Sequence, residues 1–251
     1  MIEINDHGPI RELRLARPPV NALNLELMRR FNAELDAAIA AGARAIVVSG
    51  RPGIFTAGLD VPELLRLDRA QMLECWQVFF AAQARLAASP VPVAAAITGH
   101  SPAGGAVLAL YCDYRVMADG KFKIGLNEVQ VGLTPGPVIC AALRRVVGAR
   151  QADRLVSGGL LLSPGEACAI DLVDRVVPEN KVVPASIEWA QHMLSLPPLA
   201  VAATRSTARA DLIALVSNLG PRDYEAMNDA WFSEETQRTL RQLVERLKKG
   251  A

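Results

Sequence analysis

The chain has 251 residues, 51% of them hydrophobic and 21% charged, with 27 basic against 26 acidic side chains and a formal net charge of +1. That composition belongs to an ordinary globular domain and excludes a disordered chain, while near-neutrality removes any overall field that would draw the protein onto nucleic acid or an anionic bilayer. At this length roughly three quarters of the extended chain's surface can be buried, so the core needs no disulfide or metal staple. Cys75, Cys112, Cys140 and Cys168 show no C-x-x-C spacing, and His7, His100 and His192 lie far apart. Free thiols in a reducing compartment, and no zinc site, are the expectation. The opening MIEINDHGPI carries acids and no apolar h-region, and no apolar run reaches membrane-span length, which points to the cytoplasm.

In chain order, Ile10 to Leu15 alternates apolar with charged residues as a half-buried strand does, and Pro18-Pro19 ends it. Leu25, Met28, Phe31, Leu35 and Ile39 recur at three- and four-residue steps, which predicts a helix stopped by Gly42. Ala45 to Ser49 (AIVVS) has the pattern of a wholly buried strand, closed by a turn at Gly50 to Gly53. Pro92 to Thr98 predicts another strand, running into the glycine-rich GHSPAGG and the apolar helix AVLALYC. Short strands near Tyr114–Met117 and Val173–Val177 continue the alternation. Beyond Pro178 the strand signals fade: Ile187 to Leu196, Ala200 to Leu215 and Tyr224 to Leu247 are predicted helices, with breaks at Pro197-Pro198 and Gly220-Pro221. The expected organisation is an α/β core over 1–196 and, within the same domain, a helical region over 197–251 suited to packing against another subunit.

Three segments could carry chemistry. In Phe55-Thr56-Ala57-Gly58-Leu59-Asp60-Val61-Pro62-Glu63, small residues let a ligand approach the backbone, and Asp60 with Glu63 forms a capping box; taken alone, the segment reads more readily as a well-capped loop. Gly99-His100-Ser101-Pro102-Ala103-Gly104-Gly105 joins a strand to a helix, where free N–H groups suit a negative oxygen. The same string fits a nucleophile elbow at Ser101, completed by Asp171 or Asp174 and His192, or a purely structural turn. Gly125 to Gly132 places Glu128 in an otherwise apolar loop; desolvation there would raise its pKa towards neutrality, as suits a group that takes and returns a proton, whereas a lone loop glutamate is more often solvated.

Taken together, ARPPVNALN at 16–24, FTAGLDV at 55–61, SPAGG at 101–105, DYRVMAD at 113–119, GLNEVQVG at 125–132 and EACAIDLVDRVVP at 166–178 resemble the crotonase (enoyl-CoA hydratase/isomerase) superfamily over essentially the whole chain. The resemblance implies a crotonase-like (ClpP/crotonase) α/β spiral of repeated ββα units with C-terminal helices that assemble trimers or pairs of trimers. It implies an acyl-CoA thioester as substrate, with coenzyme A part of that substrate and no further cofactor. By the same resemblance the backbone N–H groups of Leu59 and Gly104 form the oxyanion hole, and Arg17, Ala57, Gly58, Leu59, Asp60 and Val61 lie along the CoA.

Hydratases of this superfamily use two glutamates. Glu128 matches the second, but the position of the first is Val107, so the resemblance falls nearest to the mitochondrial-type Δ3,Δ2-enoyl-CoA isomerases, in which one glutamate moves a proton from C2 to C4. The absence of a lysine-rich helix argues against an RNA-binding relative. Trp76, Phe79, Phe80 and Leu133 are candidates for setting acyl-chain length, and Trp231 or Phe232 for covering the CoA or acyl group. The stripe Leu240, Leu243, Leu247 fits either a subunit interface or the chain's own core.

Overall fold

A computed structural model describes residues 1–249. Its nine strands are β1 (Ile2–His7), β2 (Ile10–Leu15), β3 (Ala45–Ser49), β4 (Gly53–Ile54), β5 (Val93–Ile97), β6 (Gly99–Pro102), β7 (Tyr114–Ala118), β8 (Ile124–Gly125) and β9 (Arg175–Val177). The helices are α1 (Leu25–Ala40), α2 (Val61–Leu64), α3 (Arg69–Ala88), α4 (Gly104–Leu110), α5 (Gly136–Val147), α6 (Ala149–Gly158), α7 (Pro164–Cys168), α8 (Val182–Ser195), α9 (Pro198–Ala208), α10 (Ala210–Ser217), α11 (Pro221–Trp231) and α12 (Glu234–Lys249).

The strands form a six-stranded sheet in the order β1-β2-β3-β5-β7-β9 and a three-stranded sheet in the order β4-β6-β8. Apart from the antiparallel β1–β2 hairpin, all pairing within these sheets is parallel. Each consecutive pair, β3–β4, β5–β6 and β7–β8, gives one strand to each sheet before the chain enters helices. This is the expected spiral of ββα turns.

β3 and β5 are buried at every position because the large sheet is covered on both faces. Side chains alternate along a strand, so Ala45 and Val47 join Val182, Ala185 and Ala190 of α8 in one apolar cluster. Ile46 and Val48 face the other way, into the main core with Leu27, Phe31 and Leu35 of α1 and Phe79 and Leu86 of α3. Leu212, Val216, Trp231 and Leu240 from the C-terminal helices belong to that same main core.

Several elements escaped the sequence pattern, among them α5, α6, β1 and α3. β1 is a largely exposed edge strand without a clean apolar face. α3, whose Asp68 and Gln71 make a reciprocal capping box, buries nine of its 20 residues on more than one side, so no narrow stripe marks it. Boundaries also differ from expectation, α8 starting at Val182 and β9 at Arg175, and three further differences have a visible cause. Gly99–Pro102 is strand, not turn, because Ser101 and Pro102 pair with Ile124 and Gly125. The predicted helix over 200–215 breaks at Arg209, whose guanidinium turns inward to the carbonyls of Ala87 and Tyr111 and to Asp113. The predicted helix over 224–247 breaks at Ser233, whose Oγ accepts the Thr236 N–H and starts α12.

Candidate active site

The first loop is tied down by side chains before it meets any ligand. Asn21 sits at φ 52°, a left-handed conformation that asparagine tolerates. Its Oδ1 accepts the Arg17 N–H at 2.9 Å, and its Nδ2 donates to Phe55 O at 3.0 Å. Thr56 Oγ1 donates to Asn21 O at 2.7 Å and accepts the Gly58 N–H at 3.1 Å. Leu23 N–H donates to Gly58 O at 2.8 Å, and Asp60 N–H donates to Leu23 O at 3.0 Å. These two bonds bracket Leu59, whose own N–H has no acceptor among the described residues.

The second turn approaches from the facing side. Gly58 adopts φ +83°, and a β-carbon there would stand 3.2 Å from Ala103 Cβ and 3.3 Å from Gly104 N, so the close approach of the two loops requires glycine. Ala103 is held at φ 46°, ψ −116°, a strained setting for a residue with a β-carbon. It is pinned by Ala103 N–H donating to Gly125 O at 2.8 Å and Ala103 O accepting the Val107 N–H at 2.9 Å. The Gly104 N–H that follows has no acceptor among the described residues either.

Between these segments lies a cavity of about 620 Å³. The side chains of Trp76, Phe79, Phe80, Val107, Leu133 and Ile139 give it an apolar wall, and Met227, Ala230, Leu243 and Leu247 from the C-terminal helices of the same chain complete it. Arg17, Ala57, Leu59, Asp60, Val61, Gly104 and Glu128 all line it. Gly58 stands just behind the wall, its carbonyl committed to Leu23.

Glu128 opens the 3-10 turn Glu128–Val131, which ends on Gly132 at φ 73°. Its Oε2 is shut off from solvent and has no hydrogen-bond partner among the described residues, and the neighbouring Asn127 Oδ1 is in the same state. Burial pushes the Glu128 carboxyl up from 4.5 to about 7. Asp60, the other carboxylate of the wall, is instead paired with Arg17 at 2.7 Å. α12 braces the Glu128 turn from outside: Thr236 Oγ1 donates to Gly132 O at 2.5 Å.

Several expectations need correction. Asp60 Oδ1 does accept the Glu63 N–H at 3.1 Å, but the capping box is one-sided. Glu63 is drawn away to the Arg17 guanidinium at 3.0 Å, a charged donor and so a stronger partner than a backbone N–H, and to the Asn24 amide at 2.9 Å. Ser101 is fully buried with an unpartnered Oγ, so no histidine is in reach and the nucleophile elbow is not formed. Trp231 is also fully buried, edge-on to Trp76 at 5.9 Å behind the wall, and leaves the cavity surface to Met227 and Ala230. Leu240 is core, while Leu243 and Leu247 face the cavity. Asn21, Asn24 and Thr236 were not singled out from sequence; the two asparagines sit inside ARPPVNALN, but their partners are 34 and 39 residues away.

The double-sheet spiral and a cavity walled by 57–62, 102–107 and 127–139 define the class. Residues 6–250 match the family Enoyl-CoA hydratase/isomerase, and the chain belongs to that family. It is 32% identical over 254 residues to mitochondrial Enoyl-CoA delta isomerase 1 of Homo sapiens, a match covering 99% of this chain and 83% of the human protein. It is 38% identical over 198 residues to a protein of Mycobacterium avium named Probable enoyl-CoA hydratase echA17, covering 77% of this chain and 76% of that one. Among solved structures, human mitochondrial delta3-delta2-enoyl-CoA isomerase superposes with a TM-score of 0.94 at 30% identity, covering 99% of this chain and 98% of that one.

Proposed function

We propose that the protein moves the double bond of a 3-enoyl-CoA to position 2, with Glu128 as the single proton carrier. The observation that carries this reading is that Glu128 is the one carboxyl of the cavity wall, among the described residues, left unpaired and desolvated. The carboxylate takes a proton from C2, and the electron pair moves onto the thioester oxygen to give a dienolate. Protonation at C4 by the same carboxyl then restores the carbonyl and leaves the double bond between C2 and C3. The N–H groups of Leu59 and Gly104 are the donors for the developing oxyanion, because both are held at the wall by strained or doubly bonded neighbours and neither has an acceptor among the described residues. A group at about 7 is suited to both halves of the transfer near neutral pH.

Hydration of a 2-enoyl-CoA needs a second carboxyl to orient water, and Val107, 1% exposed and aliphatic, cannot do this. The likeness to the delta isomerases supports the same choice. The deciding experiment assays purified protein on 3-hexenoyl-CoA and crotonyl-CoA. Isomerisation that far exceeds hydration is expected, and hydration of crotonyl-CoA at an equal rate would overturn the reading. Conversion of 3-hexenoyl-CoA that survives Glu128→Ala nearly unchanged would overturn the mechanism. Assembly into trimers or pairs of trimers is part of the proposal; its support is α9, which buries none of its residues in this chain and leaves Leu199 85% exposed. A monomer in sedimentation equilibrium would contradict it.

A further inference from the structure

Arg17 stands at the cavity wall, where a guanidinium would be expected to meet the phosphates of coenzyme A. Its bonds run the other way. Nη1 donates to Ala22 O at 3.0 Å and to Asp60 Oδ2 at 2.7 Å, and Nη2 donates to Glu63 Oε2 at 3.0 Å. Glu63 is also held by Asn24 Nδ2, and Asn24 Oδ1 caps α1 through the Leu27 N–H at 2.9 Å. One guanidinium thus joins residues 22–24 to residues 60–63, the two stretches whose backbone bonds bracket Leu59.

The charges argue in the same direction. Two carboxylates against one guanidinium make the cluster net negative, so a phosphate brought to it meets more repulsion than attraction. Asp60 is only 14% exposed, which keeps that pair poorly screened.

We propose that Arg17 is a positioning residue: it clamps the 22–24 and 58–63 segments together so that the Leu59 N–H stays aimed at the thioester carbonyl, and it does not anchor the phosphates of the CoA. This rests on Leu59 being a carbonyl donor, as proposed above. A donor held about 1 Å off its line costs on the order of a hundredfold in rate.

The test uses Arg17→Ala and Arg17→Lys, each checked for native circular dichroism. The lysine variant keeps the charge but cannot reach Ala22 O, Asp60 and Glu63 together. Kinetics are measured on 3-hexenoyl-CoA and on its 3′-dephospho analogue. A second readout is the absorption shift of bound 4-dimethylaminocinnamoyl-CoA, which reddens as its thioester carbonyl is polarised and needs no turnover.

The expected result is a kcat lowered about tenfold to a hundredfold in both variants, KM little changed, the same loss on both substrates, and a smaller red shift. The proposal is overturned if KM rises with kcat intact, if Arg17→Lys behaves as wild type, or if the penalty disappears on the dephospho substrate, since each marks a phosphate anchor. A wild-type protein that binds the dye without any red shift would overturn the oxyanion reading and this proposal with it. A red shift in the wild type that persists in both variants would overturn this proposal alone.

Discussion

The two loops that face each other across the cavity are built on opposite principles. In the stretches 21–24 and 55–63 every polar side chain has a named partner: Asn21, Asn24, Thr56, Asp60 and Glu63 are all bonded, and the Arg17 guanidinium joins Asp60, Glu63 and the Ala22 carbonyl. In the 125–132 loop the side-chain oxygens Asn127 Oδ1 and Glu128 Oε2 are buried and have no partner among the described residues. The first loop satisfies its own polar side chains and leaves the Leu59 N–H, among the described residues, without an acceptor. The second leaves a carboxyl in a state that is costly for folding, which is the state in which a proton is easily exchanged.

The most direct way to break this comparison is Glu128→Ala, which is expected to lower kcat by about a hundredfold to ten-thousandfold with little change in substrate affinity. In the wild type, kcat/KM should climb with pH and level off above about 7 as the carboxyl ionises; a profile flat from pH 5 to 9 would remove Glu128 from the role of base.

Asn21→Ala attacks the bonded loop. It strips partners from Phe55 O and the Arg17 N–H and puts alanine at φ 52°, for an expected loss of about 3 kcal/mol in urea unfolding.

Glu128→Gln sharpens the contrast from the side of stability. A carboxyl at about 7 in the folded chain and 4.5 as its ordinary value binds its proton more tightly when folded. The native state therefore loses stability as pH rises from 4.5 to 7, and the glutamine variant escapes that loss. Its advantage should be absent below pH 4.5 and reach about 2 kcal/mol above pH 7, after allowance for partial hydration of the native carboxylate. No pH-dependent difference in melting temperature would mean that Glu128 is hydrated.

The smallest effect is expected from Thr236→Val, which removes the brace on Gly132 O at a cost of about 1 kcal/mol and lowers kcat by less than Glu128→Ala does.

Much of the fold could be seen in the chain before its structure. AIVVS and VAAAI show their burial directly, because strands covered on both faces need no polar residue. The α1 stripe is visible for the opposite reason: one face is wet. α3 and β1 were hidden, one buried on several sides and the other at an exposed edge, so neither keeps a clean period. At the site, Glu128 was conspicuous as a charge between apolar neighbours, and the close approach at Gly58 and Gly104 follows from their lacking a β-carbon. The direction of Arg17 was not legible. A basic residue before Pro-Pro suits phosphate, solvent or an internal carboxylate equally well, and the choice depends on Asp60 and Glu63, 43 and 46 residues further on.

What the sequence determined by itself is local or periodic: which stretches alternate, where glycine permits close approach, and which carboxyl lies among apolar residues. Tertiary structure alone decided which of two rival partners each polar group takes. Packing put Ser101 out of reach of any histidine, turned Glu63 from its capping box to Arg17, and folded α12 onto its own chain's cavity with Leu243 and Leu247 in the wall. Those outcomes depend on distances between residues far apart in the chain, and desolvation sets their strength, so neither spacing nor composition could fix them.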